Sequence, residues 1–233
     1  MTAAALRVGG LLPLTTLDYP EHLACVVFCQ GCAWRCRYCH NPDLITPRGS
    51  NELEWRGVLE FLQQRQGLLQ AVVFSGGEAS LQAELPQAIE EVRAMGFLVG
   101  LHTAGIKPKA LQQVLPLVDW VGYDIKGLPQ SVPLITGVPG SGSHNWYGLE
   151  LLLASGVAYE VRVSWHPALL SGDELLRIAS RLRNLGVTRL AIQIVRCERM
   201  LDPALSTLPV SYQERLRVKT TLTGQWPQLI WRD

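Results

Sequence analysis

Six short apolar runs recur along the chain and predict buried β-strands. Several are nearly continuous stretches of aliphatic and aromatic residues. Such runs are typical of strands that are covered on both faces of a parallel sheet. The predicted strands are Ala24–Phe28, Ala71–Phe74, Phe97–Leu101, Trp120–Ile125, Tyr159–Trp165 and Arg189–Val195.

Segments with helical spacing of apolar residues lie between these runs. The first predicted helix covers Asn51–Gln66, because Asn51 and Glu54 resemble a capping box. The others are Glu84–Met95, a helix starting at Pro108, His144–Ser155, a helix capped by Asp173 that ends at Gly186, and a last helix capped by Ser211.

Strands that alternate with helices imply βαβ units and therefore a parallel sheet. Six units are too few for a complete eight-stranded barrel. A doubly wound sheet usually has a glycine-rich loop after its first strand, whereas here cysteines follow it. The chain is therefore predicted to be α/β, a partial (β/α)6 barrel. One domain is expected over 1–233, with an N-terminal extension (1–23), a barrel core (24–196) and a C-terminal segment (197–233).

Composition excludes several classes of protein. The net charge of +1 gives no reason to expect a nucleic-acid partner. No apolar run approaches the ~18–20 residues of a membrane span. The first residues, Met1–Arg7, lack the apolar core of a secretory leader, so a reducing cytoplasmic location is expected.

Three cysteines supply the most specific chemical signal. Cys32, Cys36 and Cys39 have the spacing C-x3-C-x2-C. A [4Fe–4S] cluster held by three thiolates leaves one iron free to bind a substrate, whereas four thiolates close the cluster. Structural zinc, with Cys29 or His40 as a further ligand, and a disulfide framework are the alternatives.

Polar residues follow the other predicted strands. Functional side chains of a barrel gather at the carboxyl ends of its strands. The candidates there are Ser75–Glu78, His102–Gly105, Asp124–Lys126, the residues Glu160, Arg162 and His166, and the pair Arg196 and Cys197.

These motifs together resemble those of radical S-adenosylmethionine (SAM) enzymes, and within them the activating enzymes of glycyl-radical enzymes. The resemblance is strongest to the branch that activates anaerobic ribonucleoside-triphosphate reductase. It rests on Val8–Leu11, Leu17–Pro20, Phe28–Cys32, Tyr38–Pro42, Gly76–Glu78, Asp124–Lys126 and Glu160-x-Arg162.

The resemblance implies a barrel of the radical SAM type, a [4Fe–4S] cluster on Cys32, Cys36 and Cys39, and SAM on the open iron. Reductive cleavage of SAM would give methionine and a 5′-deoxyadenosyl radical, which removes a hydrogen atom from a glycine of the partner enzyme. Reduced flavodoxin or ferredoxin is the expected electron donor. The implied SAM-binding residues are Tyr38 beside the adenine, Gly76, Gly77 and Glu78 at the ammonium, Thr103, Asp124 and Lys126 at the carboxylate end, and Arg162.

Three positions depart from the pattern of this family. His102 stands where some related activators have an acidic residue that supports a monovalent cation, and Ala79-Ser80 replaces a common Pro-Thr. Activation of pyruvate formate-lyase, or a small-molecule reaction such as deazapurine ring contraction, remains an alternative function.

The remaining cysteines have no assigned role. Cys25 and Cys29 lie four residues apart on the first predicted strand and therefore share a face. Burial is the usual state of a free cysteine, although Cys29 could approach the cluster. For Cys197, a buried or a redox role is expected.

Overall fold

The computed structural model describes residues 6–196, 198–207 and 210–233. Within these residues the strands form a single sheet. Neighbouring strands in the sheet are also consecutive in the chain, from β1 at one edge to β8 at the other. β1 runs antiparallel to β2, and every later neighbour is parallel. This winding is that of an open, partial barrel and confirms the predicted fold class. The strands are β1 (Val8–Thr15), β2 (Ala24–Cys29), β3 (Ala71–Gly76), β4 (Leu98–Thr103), β5 (Trp120–Ile125), β6 (Ala158–Trp165), β7 (Leu190–Ile194) and β8 (Leu229–Arg232).

All six predicted strands are present, and two further strands were missed. β1 contains Gly9, Gly10 and Pro13, which weaken a strand pattern. β8 is only four residues long. Both therefore lack the long apolar run that identifies a buried strand. They add to the two edges of the six-stranded parallel core, from within the predicted N-terminal extension and C-terminal segment.

Seven α-helices cover the outer face of the sheet or connect its strands in the described residues. None of these helices is long and apolar enough to cross a membrane. Their bounds are α1 (Trp55–Gln63), α2 (Leu85–Ala94), α3 (Pro108–Val114), α4 (Val132–Thr136), α5 (Ser141–Ser155), α6 (Gly172–Asn184) and α7 (Tyr212–Thr223).

Three predicted helix starts are wrong. α5 begins at Ser141, after Gly140, and not at His144. α1 begins at Trp55, because Glu54, and not Asn51, is its extended N-cap residue. α6 is capped by Ser171 rather than Asp173, since the Ser171 hydroxyl accepts a hydrogen bond from the Glu174 amide at 3.1 Å. The predicted cap of the last helix is confirmed, with Ser211 accepting from the Glu214 amide at 3.3 Å.

The two faces of the sheet contact different cores. Cys25, Val27 and Cys29 of β2 belong to the large core between the sheet and the helices. Alternate residues face the barrel interior, where Val26 packs in a smaller cluster with Tyr19 from the loop before β2. Cys25 and Cys29 therefore share a face and are both buried, as predicted.

Candidate active site

One cavity lies at the carboxyl ends of the parallel strands. Its volume is about 240 Å³. It collects almost every predicted site residue, because strand ends in a singly wound parallel sheet all open on one side. The predicted residues that line it are Cys32, Cys36, Tyr38, Cys39, Gly76, Gly77, Glu78, Thr103, Asp124 and Lys126.

The cysteine loop, residues 30–46, follows β2 and is fixed at its base by backbone hydrogen bonds. The Gly31 and Cys32 amides donate to the carbonyls of Leu44 and Ile45 at 2.8 and 3.0 Å. The buried Gln30 amide group donates to the Asp43 and Thr46 carbonyls at 2.9 and 2.8 Å. The loop therefore presents its cysteines from a closed and hydrogen-bonded frame.

The three cysteines fit an iron–sulfur cluster. All three line the cavity, and Cys32 and Cys36 pack against an apolar wall that includes the buried Trp34. Burial raises the pKa of the Cys32 thiol to about 12 and that of Cys36 to about 11, so a thiolate here needs a metal beside it. Three partly buried cysteines supply the sulfur donors that soft metals prefer.

The two alternative explanations of the cysteines gain no support. Across the described ranges, no three His, Cys, Asp or Glu side chains converge on one metal ion, as the ligands of a zinc site must. In a cubane cluster each thiolate binds a different iron, so its ligands need not converge on one point. The five cysteines that the structure describes are all free thiols, and Cys197 lies outside the described residues.

The glycines after β3 let the chain approach its own backbone. A Cβ atom on Gly76 would overlap the Cys29 backbone, and one on Gly77 would overlap the Gly31 carbonyl. Gly76 also has φ of 110°, in the region that favours glycine. Their necessity therefore comes first from packing the β3 end against the start of the cysteine loop, and both also line the cavity.

Glu78 is a buried carboxylate that holds the ends of two strands together. It accepts hydrogen bonds from the hydroxyls of Ser80 and Thr103, both at 2.6 Å, and from the Ala104 amide at 3.0 Å. Burial still raises its pKa, despite these hydrogen bonds. A cationic group in the cavity would stabilise the charged form of this buried carboxylate. The ammonium of SAM, which is predicted to contact Glu78, is such a group.

Asp124 and Lys126, at the end of β5, form a partly buried ion pair that lines the same cavity. The Lys126 Nζ atom lies 3.0 Å from Asp124 Oδ2 and 5.5 Å from the centre of the Tyr38 ring. Burial opposes both charges, yet the pair holds the pKa of Asp124 below and that of Lys126 well above its usual value. The Tyr38 hydroxyl is buried and has no hydrogen-bond partner among the described residues, so it is available to a bound polar group.

Asn145 is a positioning residue that sequence reasoning missed. This fully buried side chain of α5 donates to the carbonyls of Ala104 and Asp124, both at 2.8 Å. It also accepts from the Lys126 amide at 3.0 Å. Asn145 therefore ties the end of β4 to the end of β5, and the only signal for it was a polar residue in the apolar stretch of a helix.

Arg162 is the register partner of Asp124 in the β5–β6 pairing, but it does not line the cavity of the other predicted SAM-binding residues. Its Nε donates to Glu160 at 2.9 Å, and its guanidinium lies 3.1 Å from the His102 ring nitrogen Nε2. It lines an adjoining cavity that shares His40 and Ser164 with the first. Its assignment as a SAM-binding residue stays a prediction.

Comparison with known proteins places these features in a family. The Radical SAM superfamily model matches residues 26–195. A Methanocaldococcus jannaschii protein, provisionally named a glycyl-radical enzyme activating enzyme, is 26% identical over 90% of this chain and 88% of its own. The pyruvate formate-lyase-activating enzyme of Clostridium pasteurianum is 32% identical over 77% of both chains.

Solved structures share the fold at low sequence identity. SuiB of Streptococcus suis bound to S-adenosylmethionine superposes with a TM-score of 0.67 and 12% identity over 88% of this chain. This chain spans about half (49%) of SuiB. QueE of Escherichia coli gives a TM-score of 0.58 and 15% identity over 97% of this chain and 93% of its own. The chain thus belongs to the radical SAM superfamily, whose members use a [4Fe–4S] cluster and SAM.

Proposed function

We propose that this protein generates a glycyl radical on a partner enzyme. The observation that carries the proposal is the length of the match to activating enzymes, which extends over 88% and 77% of two relatives with that name. The open sheet adds to it, because a protein loop needs lateral access to the cavity. The adjoining cavity is lined by Leu17, which follows β1, and by Arg232 of β8, so it lies where the two edges of the sheet face each other. It supplies an opening beside the cluster site.

In this proposal each wall of the cavity has one task. Cys32, Cys36 and Cys39 would hold the cluster, which would supply the electron that cleaves SAM to methionine and a 5′-deoxyadenosyl radical. The SAM-binding set is Tyr38, Gly76, Gly77, Glu78, Thr103, Asp124, Lys126 and Arg162. Glu78 supplies negative charge for the ammonium of SAM, and Lys126 supplies positive charge for its carboxylate.

The proposed target is anaerobic ribonucleoside-triphosphate reductase. The support is the resemblance of the segments Val8–Leu11, Leu17–Pro20 and Phe28–Cys32 to that branch. A second candidate is pyruvate formate-lyase, favoured by the 32% identity to its activating enzyme from Clostridium pasteurianum. Reduced flavodoxin or ferredoxin is the proposed donor in either case.

The test is to mix the reconstituted, reduced protein and SAM with each of the two enzymes from the same source under anaerobic conditions. The proposal predicts a glycyl-radical doublet in the EPR spectrum of the reductase, and none with Cys36→Ala. A doublet only on pyruvate formate-lyase would move the target to the second candidate. Release of 5′-deoxyadenosine without a doublet on either enzyme would contradict both.

A further inference from the structure

A segment that follows β7 lies against the cysteine loop. We call residues 199–205 the strap. The Leu201 amide donates to the Cys39 carbonyl at 3.0 Å, and the Asp202 amide donates to the Arg37 carbonyl at 2.8 Å. These two bonds fix the backbone on both sides of Tyr38, and with it the direction of the Cys39 side chain.

Side chains reinforce this backbone pairing. The Arg37 guanidinium binds Asp202 Oδ2 through Nε at 2.8 Å and through its terminal nitrogen at 2.7 Å. The other oxygen of Asp202 accepts from the Ala204 amide at 3.0 Å. Asp202 therefore closes the turn of the strap and binds the cysteine loop at the same time. His40 adds a contact from its Nδ1 to the Arg199 carbonyl at 2.8 Å.

The far end of the strap is anchored to the barrel. Leu205 is buried, and its carbonyl accepts a hydrogen bond from His166 Nε2 at 2.9 Å. His166 directly follows β6, and its Nδ1 accepts from the Ala168 amide at 3.3 Å, which assigns the proton to Nε2. The strap thus connects a rigid strand end to the stretch of loop that carries Cys39.

The strap lies outside the part of the chain that is common to the superfamily, since the family match ends at residue 195. The opposite side of the cysteine loop is paired within that common part, where the Arg35 and Arg37 amides donate to the carbonyls of Thr136 and Ile135. The stretch from Arg35 to Cys39 is therefore held between α4 and the strap.

We infer that the strap positions Cys39 and thereby controls how firmly the cluster is retained and at what potential it is reduced, with Asp202 as its positioning residue. The inference rests on the assignment of the cysteines in the proposed function. Hydrogen bonds and solvent access around the thiolates tune the potential of such clusters. Release of the strap should change both.

The test uses Asp202→Asn and a closely matched control, Asp119→Asn. Asp119 also pairs with an arginine, Arg93, and accepts from a backbone amide, that of Val99. The side-chain exposures match as well, at 44% and 28% for Arg37 and Asp202 against 45% and 27% for Arg93 and Asp119. Both variants lose one half-exposed ion pair, but only one of them releases the strap.

Three properties are measured on the full chain. They are amide hydrogen exchange of Leu201 in the cluster-free protein, iron release to a chelator from the reconstituted protein, and the midpoint potential from an EPR-monitored titration. Asp202→Asn should speed both amide exchange and iron release about fivefold, the scale of one well-formed exposed ion pair, and should shift the potential. Asp119→Asn should leave all three at wild-type values.

Equal behaviour of the two variants, with the wild-type cluster intact, would overturn the strap. Arg37→Gln provides a second way to break the same pair and should reproduce Asp202→Asn. If the wild-type protein takes up no iron, the cluster assignment fails instead. Amide exchange in the cluster-free protein still decides whether the strap is closed, so the two failures are distinguishable.

Discussion

Asn145→Ala tests how the fold positions the site. The substitution removes three hydrogen bonds of a fully buried side chain, two to carbonyls and one from an amide. At about 1 kcal/mol for each bond, the free energy of unfolding should fall by about 3 kcal/mol. It should fall further if water does not reach the two carbonyls and the amide that lose their partner. That is a large fraction of the 5–15 kcal/mol that is typical of a domain.

The ends of β4 and β5 should also move apart, because Asn145 is the bridge between Ala104 and Asp124. We expect SAM binding to weaken about tenfold, the equivalent of 1.4 kcal/mol. The assays are urea unfolding and calorimetric SAM binding to the reconstituted protein, at a temperature where the variant is folded.

The control separates positioning from a general loss of stability. Leu182→Ala, in the buried face of α6, should cost a similar 2–5 kcal/mol. Leu182 lies on a helix that contributes no residue to the cavity lining, so SAM affinity should stay at the wild-type value. If both variants bind SAM equally well, Asn145 stabilises the fold without positioning the SAM site.

Three other predictions follow from the same structure. Cys36→Ala should abolish iron uptake in an iron assay. Cys25→Ala, at a cysteine buried in the core between the sheet and the helices, should retain iron uptake. Gly77→Ala should lower the thermal midpoint and displace the cysteine loop, whereas Gly57→Ala, with open space in α1, should stabilise the protein by about 0.5–1 kcal/mol. Burial lowers the pKa of His166 below 6.5, so the unfolded chain takes up this proton first and stability falls as pH drops below about 6.5. The stability gap between wild type and His166→Gln in urea unfolding should therefore narrow at acid pH, and a constant gap would contradict this.

The sequence predicts which residues line the site, because the order of the strands determines which strand ends lie at the same edge of the sheet. Once parallel strands follow one another in order, Cys32, Glu78 and Asp124 must emerge on the same side of the sheet. Long apolar runs identify such strands well. β1 and β8 were not predicted. Glycine and proline interrupt the apolar pattern of β1, and β8 is too short to show one.

Contacts between distant side chains could not be predicted in this way. Glu78 turns toward Ser80 and Thr103, and this depends on the rotamers of two small hydroxyl residues. Asn145 bridges two strand ends from a helix whose sequence shows no periodic face for it. The strap depends on pairing between residues 37 and 202, and no local pattern records so long a separation.

Every role proposed for this protein depends on a cluster that Cys32, Cys36 and Cys39 hold with one iron open to SAM. EPR of the anaerobically reconstituted, reduced protein before and after SAM is added, with iron and sulfide assays on the same sample, tests whether such a cluster forms. We expect four irons per chain and a spectrum that changes when SAM binds. A full cluster whose spectrum is unaffected by saturating SAM, or a folded protein that takes up zinc but no iron, would contradict this expectation.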